Sequence, residues 1–220
     1  VAKRLAAEGA EVVLVARNAS DLAAVVKEIE VSGGKAAAFP LDLADIGALP
    51  EALRQLIEQW GPFHISIHNA GMGYTANALD TPLSDWQAVL NLNLTAAFAC
   101  LQAVLPGMRQ LRQGHIVNVV SIAGKQAFPG WSAYCASKFG LLGLSKAVAQ
   151  EEREHGIRVT VFCPGAVDSP LWDSPSVNAD FDRSRMLSVE TVVDSLVYTL
   201  SLPANAVVEE LVLMPSRGAF

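Results

Sequence analysis

Charge is scarce in this chain. Only 17% of its 220 residues are charged, the formal net charge is −6, and no stretch gathers lysine and arginine into a cluster. Such a surface offers no electrostatic footprint for a nucleic acid or an anionic membrane, and it favours a small-molecule partner. Cysteine is sparser still. Cys100, Cys135 and Cys163 are odd in number, widely spaced and set among apolar neighbours, which suits reduced, buried thiols better than disulfides. His64, His68, His115 and His155 show no ligand spacing, so a metal centre is not expected. No apolar run in the sequence approaches the ~20 residues of a membrane span. The opening Val1-Ala2-Lys3-Arg4-Leu5 does not lead into a signal-peptide core, and the expected location is intracellular, in the cytoplasm. Internal repeats, low-complexity tracts and linkers are absent too. What remains is 51% hydrophobic, enough for one sizeable core in a single domain over residues 1–220.

Helix-like and strand-like stretches alternate along that chain. Strand formers occupy 11–16, 35–41, 63–69, 114–121, 156–163 and 207–214. Helical patterns fall at 1–8, 21–31, 45–60, 84–105, 131–155 and 188–202, with Ser84-x-x-Gln87 as a capping box and Pro106-Gly107 as a kink or stop. Residues 168–187, with Pro170 and Pro175, read as a long functional loop with short helical pieces. Strands this apolar, alternating with helices, predict a doubly wound parallel α/β sheet covered on both faces. Ligands of such sheets bind at the carboxyl ends of the strands. Ala16-Arg17, Asp42, Asn69-Ala70-Gly71, Ser121 and Pro164-Gly165 all fall there.

The helix after Ser121 carries the chemistry. Tyr134 and Lys138 stand four residues apart, so on a helix they share one face. A free phenol, with a pKa near ~10, is a poor base at neutral pH, and a neighbouring cation stabilises its phenolate. Alone, the spacing is weak, arising by chance in roughly one such sequence in ten. Lys138 lies among Ala136, Phe139 and Leu142, apolar company for a solvated lysine. Ser121, ending a buried strand, can point its hydroxyl into the crevice. It is no hydrolase nucleophile: Val119-x-Ser121-x-Ala123 lacks the flanking glycines of a nucleophile elbow. Asn93 sits inside the apolar run 90–97, where an amide must find partners. Gly71-Met-Gly73-Tyr-Thr-Ala76 matches G-x-G-x-x-A formally, but no regular helix follows, so it reads as a false dinucleotide fingerprint.

Taken together, Asp42, Asn69-Ala70-Gly71, Asn93, Ser121, Tyr134-x-x-x-Lys138 and Pro164-Gly165 resemble, in order and spacing, the short-chain dehydrogenase/reductase family. The resemblance implies a Rossmann-type fold and hydride transfer between a nicotinamide cofactor and an alcohol or carbonyl substrate. It makes Tyr134 the general acid/base, Lys138 its electrostatic partner and the ligand of the nicotinamide ribose, Ser121 the holder of the substrate oxygen, and Asn93 the anchor of a water relay at a helix distortion. It assigns the adenine to Asp42 and the Leu43 backbone, further cofactor contacts to Asn69, Ala70, Gly71, Pro164 and Gly165, and the carboxamide to the Val167 backbone and Ser169. The family usually has a second asparagine where this chain has His68, a mild change at a strand-packing position. At the end of the second family strand Ala16-Arg17 replaces the acidic residue that would repel a 2′-phosphate, so NADP(H) is the expected cofactor, with Arg17 pairing to it.

The resemblance also places a first strand and a glycine-rich turn, T-G-x-x-x-G-x-G, before Val1, and the chain as it stands lacks that pyrophosphate-binding loop. The tail 210–215 resembles the subgroup that oxidises 3-hydroxy acids and serine, for which Arg183 or Arg185 would meet a substrate carboxylate. Family members pair the 83–111 and 131–155 helices into homodimers or homotetramers, with Ala133, Ala136, Gly140 and Gly143 permitting close approach. The competing expectation is a non-catalytic NADP-binding or scaffold protein that retains the fold.

Overall fold

The computed structural model describes residues 1–179 and 181–218. Helices and strands alternate as α1 (Ala2–Ala7), β1 (Glu11–Ala16), α2 (Ala19–Val31), β2 (Lys35–Pro40), α3 (Leu49–Trp60), β3 (Ile65–His68), α4 (Leu83–Leu90), α5 (Ala96–Leu111), β4 (Gly114–Val119), α6 (Ser132–Glu152), β5 (Ile157–Pro164), α7 (Val189–Leu200) and β6 (Glu210–Leu213). Left-handed Gly9 (φ 93) and Gly33 (φ 83) end the turns after α1 and α2. Asn18 caps α2 through its side-chain oxygen, and Ser188 caps α7.

Every strand pair is parallel, with orders β1-β2 and β3-β4-β5-β6 in two sheets. Among the described residues β1 and β3 do not pair with each other, and it is between them that the family resemblance places one further strand. β4 and β5 are almost wholly buried, whereas β1, β2 and β3 are half-buried. Pro40, which cannot donate to a ladder, sits harmlessly at the end of an edge strand.

Both faces of the larger sheet are covered. On one, Leu101, Val104 and Met108 of α5 pack with Val148 of α6 over Ile116, Ile157 and Val159. On the other, Leu196 of α7 packs on Val117 and Phe162. Leu49, Leu53 and Leu56 of α3 join Ala96 to the underside of β1 and β2 through Val13, Val15 and Phe39. Each such buried side chain contributes about 1.5–3 kcal/mol.

Three helix boundaries differ from the sequence reading. α4 begins at Leu83 behind Pro82, whose φ of −60 presets the turn, and the Ser84 hydroxyl goes to Asp85 instead of capping. α3 starts at Leu49, because Asp42 and Asp45 turn the chain locally by accepting from Ala44 N and Ala48 N. Pro106 neither ends nor replaces the last turns of α5: Val104 and Met108, buried on either side of it, hold the helix on the sheet to Leu111. The continuous helical run 83–111 is also long and apolar enough, by length and composition, to cross a membrane, which the sequence reading overlooked by counting unbroken apolar runs. In this fold it is a core helix, packed as described.

A polar chain crosses β3 and β4 where the family asparagine is replaced. His68 Nε2 meets Ser66 Oγ at 2.9 Å, His68 Nδ1 meets Asn118 Oδ1 at 2.7 Å, and Asn118 Nδ2 donates to Ser145 Oγ at 2.8 Å. Burial pushes the imidazole down to about 4, so it sits there neutral. Because Asn118 and Ser145 are fully buried, Ser145→Ala should strand the Asn118 amide and lower stability by about 1–3 kcal/mol. Urea unfolding should show this as a lower midpoint at unchanged slope.

Candidate active site

Six elements converge at the carboxyl ends of β3, β4 and β5. α6 contributes Tyr134, Ser137 and Lys138 from one face. Lys138 is 5% exposed, and its ammonium donates to the Val119 carbonyl at 3.0 Å while lying 5.7 Å from the centroid of the Tyr134 ring. Ser121 follows β4 in an extended conformation and receives Ala123 N on its hydroxyl at 3.1 Å, which orients the side chain.

The helix before it is distorted where Asn93 lies. Residues Asn91–Thr95 form a π-turn between α4 and α5, and Asn93 is 1% exposed within it. Its Oδ1 accepts from Met72 N at 2.8 Å, and its Nδ2 donates to Met72 O and to Ser137 Oγ, both at 3.0 Å. Ser137 in turn donates to the Tyr134 carbonyl at 2.7 Å. Asn93 therefore ties the loop after β3 to α6, and both its amide hydrogens are committed, leaving only oxygen atoms for any water. Ser137 went unnoticed in the sequence; its one signal was its place inside the Tyr134–Lys138 turn.

The expected electrostatics are reversed for the tyrosine. Burial pushes Tyr134 up to about 12, a hydrogen bond with Ser121 opposing it and the Cys135 thiol adding to it. The same burial brings Lys138 down to about 8. The phenol thus stays protonated, a proton donor, at neutral pH.

Gly71 completes the floor. A Cβ there would lie 3.2 Å from Asn93 Oδ1 and 3.6 Å from Lys138 Nζ, so only a bare backbone leaves the approach to both open. Asn69, Ala70 and Gly71 are exposed along this strand end, as is Asp42 after β2. Leu43 packs half-buried against the α3 core. Arg17, just past β1, is exposed and enters no ion pair among the described residues. Pro164 closes β5, and Gly165 N donates to the Leu213 carbonyl at 2.8 Å. The Val167 carbonyl accepts from the Trp172 indole at 2.7 Å, and the Ser169 carbonyl from Arg183 at 3.2 Å. Arg17 and Asp42 thus follow the strands of the β1-β2 sheet, and the other strand-end residues follow β3, β4 and β5. After Gly73 no regular helix follows, in keeping with a false fingerprint.

The described residues after β5 bond to the loop after β3. Thr75 N donates to the Ser176 carbonyl at 2.9 Å, Ser176 Oγ to the Gly73 carbonyl at 2.7 Å, and Asn178 N to Thr75 Oγ1 at 2.6 Å. Trp131, Tyr134, Trp172, Phe181 and Val177 form an apolar cluster beneath the loop. The tryptophans and Phe181 carried no sequence signal, because a loop has no periodicity to read. Arg183 is already bonded to Asp168 at 2.6 Å and Asp173 at 2.7 Å, so of the two lid arginines it is not the one available to a substrate.

A half-buried phenol beside a buried ammonium at the carboxyl ends of parallel strands describes an enzyme of proton-coupled chemistry. The family model for short chain dehydrogenase matches residues 1–179, and the chain belongs to that family. A 3beta-hydroxysteroid dehydrogenase of Mediterraneibacter gnavus is 37% identical over 86% of this chain and 67% of its own length. A 3-oxoacyl-[acyl-carrier-protein] reductase of Synechocystis is 33% identical over 77% of this chain and 69% of its own. Among solved structures, a metagenomic short-chain oxidoreductase in complex with NADP superposes with a TM-score of 0.82 at 29% identity, over 98% of this chain and 90% of the other. Serine dehydrogenase from Escherichia coli shares the fold, with a TM-score of 0.84 at 24% identity over 100% of this chain and 93% of the other. The protein is an NAD(P)-dependent oxidoreductase acting on CH–OH groups.

The lysine makes a stability prediction with a definite sign. Lys138 falls from 10.5 to about 8 in the fold, so between those values the unfolded chain holds the proton that the folded chain has released. Stability should rise as pH climbs from about 8 towards 10.5 through this residue. Tyr134, raised from 10.0 to about 12, acts oppositely and should erode stability above pH 10.0. Urea midpoints against pH for the wild type and Lys138→Met test this: the rise should vanish in the variant.

Proposed function

We propose that residues 1–220 form one dinucleotide-binding and catalytic domain, with the loop 168–187 over its substrate, that transfers a hydride between NADP(H) and a secondary alcohol or ketone. A 3-hydroxy acid is the finer candidate. The observation that carries the reading is the set of half-buried Tyr134 and Ser121 with buried Lys138 and Asn93 beside the bare backbone of Gly71. The bare backbone of Gly71 lies close under Asn93 Oδ1 and Lys138 Nζ, so the strand end can pack against both without a side chain between them. Lys138 would hold the nicotinamide ribose. Asp42 and the Leu43 backbone would take the adenine, and Asn69, Ala70, Pro164, Gly165, the Val167 backbone and Ser169 the remaining contacts. Arg17, free of carboxylate partners, would pair with a 2′-phosphate in a charge-assisted contact.

When bound, the nicotinamide supplies or accepts the hydride. The protein's part is the proton. Tyr134, kept protonated by burial, donates from Oη to the substrate oxygen during reduction and recovers a proton through the Lys138 side of the site. Ser121, bonded to the same phenol, holds the substrate oxygen beside it. Asn93 keeps Met72 and Ser137 in place, so that Gly71 and Tyr134 stay in register, and offers its oxygens to a relay water.

The protein is proposed to work in the cytoplasm, with no nucleic acid or membrane partner, as a homodimer or homotetramer. Half-exposed Phe98 of α5 and Phe139 of α6, with the exposed Leu83 of α4, support a covered helical face. Gly143 opens to free space there. Ala133 and Gly140 serve the chain's own interior instead, Ala133 being buried and Gly140 lying against Leu94.

Tyr134→Phe should abolish NADPH oxidation with a panel of ketones and 3-oxo acids while NADPH still quenches protein fluorescence. Turnover at the wild-type rate sinks the proton-donor role. If the wild type binds NADPH but turns over nothing, the scaffold reading takes its place. Arg17→Ala should weaken NADPH by about tenfold or more, the scale of a lost charge-assisted hydrogen bond, and leave NADH unchanged. Equal losses for both cofactors would remove Arg17 from the phosphate contact.

A further inference from the structure

Trp131 stands where three site-building segments meet. It occupies the N-cap position of α6, three residues before Tyr134, and its carbonyl accepts from Cys135 N at 2.8 Å. A bridge between Ala76 and Trp131, with Ala76 N donating to the Gly130 carbonyl at 2.9 Å, joins its backbone to the loop after β3. The indole is 9% exposed. It packs edge-to-face with Tyr134, ring centroids 5.5 Å apart and planes at 67°, and meets Trp172 of the loop after β5 at 5.9 Å and 72°. Trp172 is fixed in its turn, since its own indole N–H donates to the Val167 carbonyl at 2.7 Å.

A phenol that delivers a proton needs two things from its surroundings. The χ2 torsion of a tyrosine is broad, so a neighbouring ring has to set the angle at which Oη is presented. Edge-to-face packing supplies such an angle. Apolar contact also withdraws the phenol from water, which favours its protonated form, and burial is the largest influence on Tyr134, ahead of Ser121 and Cys135. Among the described residues, the titratable groups facing the phenol are Lys138 and Cys135 of its own helix, while Cys163 of β5 acts on Lys138. The loop after β5 turns Leu171, Trp172 and Val177 towards the ring cluster, and its Asp168 and Asp173 are taken by Arg183. The wall at Trp131 is therefore apolar.

We propose that Trp131 is a positioning residue of the reaction: its indole holds the Tyr134 ring at one angle and keeps water from it, so that Oη meets the substrate oxygen in a single dry orientation. This role rests on the proton-donor reading of Tyr134 and adds the residue that prepares that donor.

Tyrosinate absorbance against pH tests it, taken as the difference between each protein and the same protein carrying Tyr134→Phe, with circular dichroism marking the range in which the fold persists. In the wild type the Tyr134 phenolate should appear only at about 12 or with loss of the fold. Trp131→Gln, which removes the ring and admits water, should bring it down by about one pH unit or more in the folded protein. The same variant should lower kcat for NADPH oxidation with a ketone by about tenfold and leave KM for NADPH unchanged. Trp131→Phe keeps a ring in place and should return both towards the wild type. An unchanged titration, an unchanged kcat, or a phenylalanine variant as impaired as the glutamine one overturns the role. If the glutamine variant does not fold, Trp131→Leu is set against Trp131→Phe by the same two measurements, with the same outcomes deciding. If the wild type reduces no ketone, the proton-donor reading fails, and the titration alone decides whether Trp131 shields the phenol: a downward shift in the variant supports the shielding, and no shift overturns it.

Discussion

Placing an ammonium group inside the protein is the constraint from which the rest of the site follows. Lys138 is buried, and its ammonium donates to a main-chain carbonyl at the last residue of β4. A charge taken out of water must be met by aligned dipoles or be lost by deprotonation. The Val119 carbonyl can serve only if α6 lies at a fixed distance over the end of β4. That placement is secured from below by the Val148 contacts with Ile116 and Val159, and from the side by the Asn93–Ser137 bond. The hydrophobic core and the polar site are therefore one problem, solved by the same helix.

The loops above the sheet are bonded more to each other than to the strands that launch them. Asn93 clamps Met72, Thr75 and Gly73 clamp Ser176 and Asn178, and Trp172 closes back on Val167. The loop after β3 and the loop after β5 are thus cross-linked by one main-chain hydrogen bond and by bonds through the Thr75 and Ser176 hydroxyls.

Much of this was legible in the sequence, for identifiable reasons. β4 and β5 are unbroken apolar runs because they are covered on both faces, and that burial is what makes a strand easy to read. Tyr134 and Lys138 were visible as a four-residue helical spacing, Asn93 as an amide in an apolar run. The tyrosine's electrostatics were not legible, because a sequence gives the neighbouring charge but not how far the phenol is withdrawn from water. The starts of α3 and α4 were missed where Asp42, Asp45 and Pro82 set local turns that compete with helical pattern. The aromatic cluster and the carboxylate partners of Arg183 lie largely in irregular chain, where partners are chosen by tertiary proximity alone. The division into sheets β1-β2 and β3-β4-β5-β6 likewise belongs to pairing, which strand patterns do not encode.

The π-turn at Asn91–Thr95 does more than turn one amide inward. The wide turn absorbs one extra residue, which in a regular α-helix would rotate everything after it by about 100°. Leu101, Val104 and Met108 all lie downstream, and their burial on the sheet presupposes that the residue is absorbed. Rewinding the segment into a regular helix with every residue kept would swing that apolar stripe away from the sheet, whereas deleting one residue would keep the stripe in phase and lose the inward turn at Asn93. The irregularity that shapes the site is therefore also the phase-setter of the α5 core, and a lineage that kept one would find it hard to lose the other.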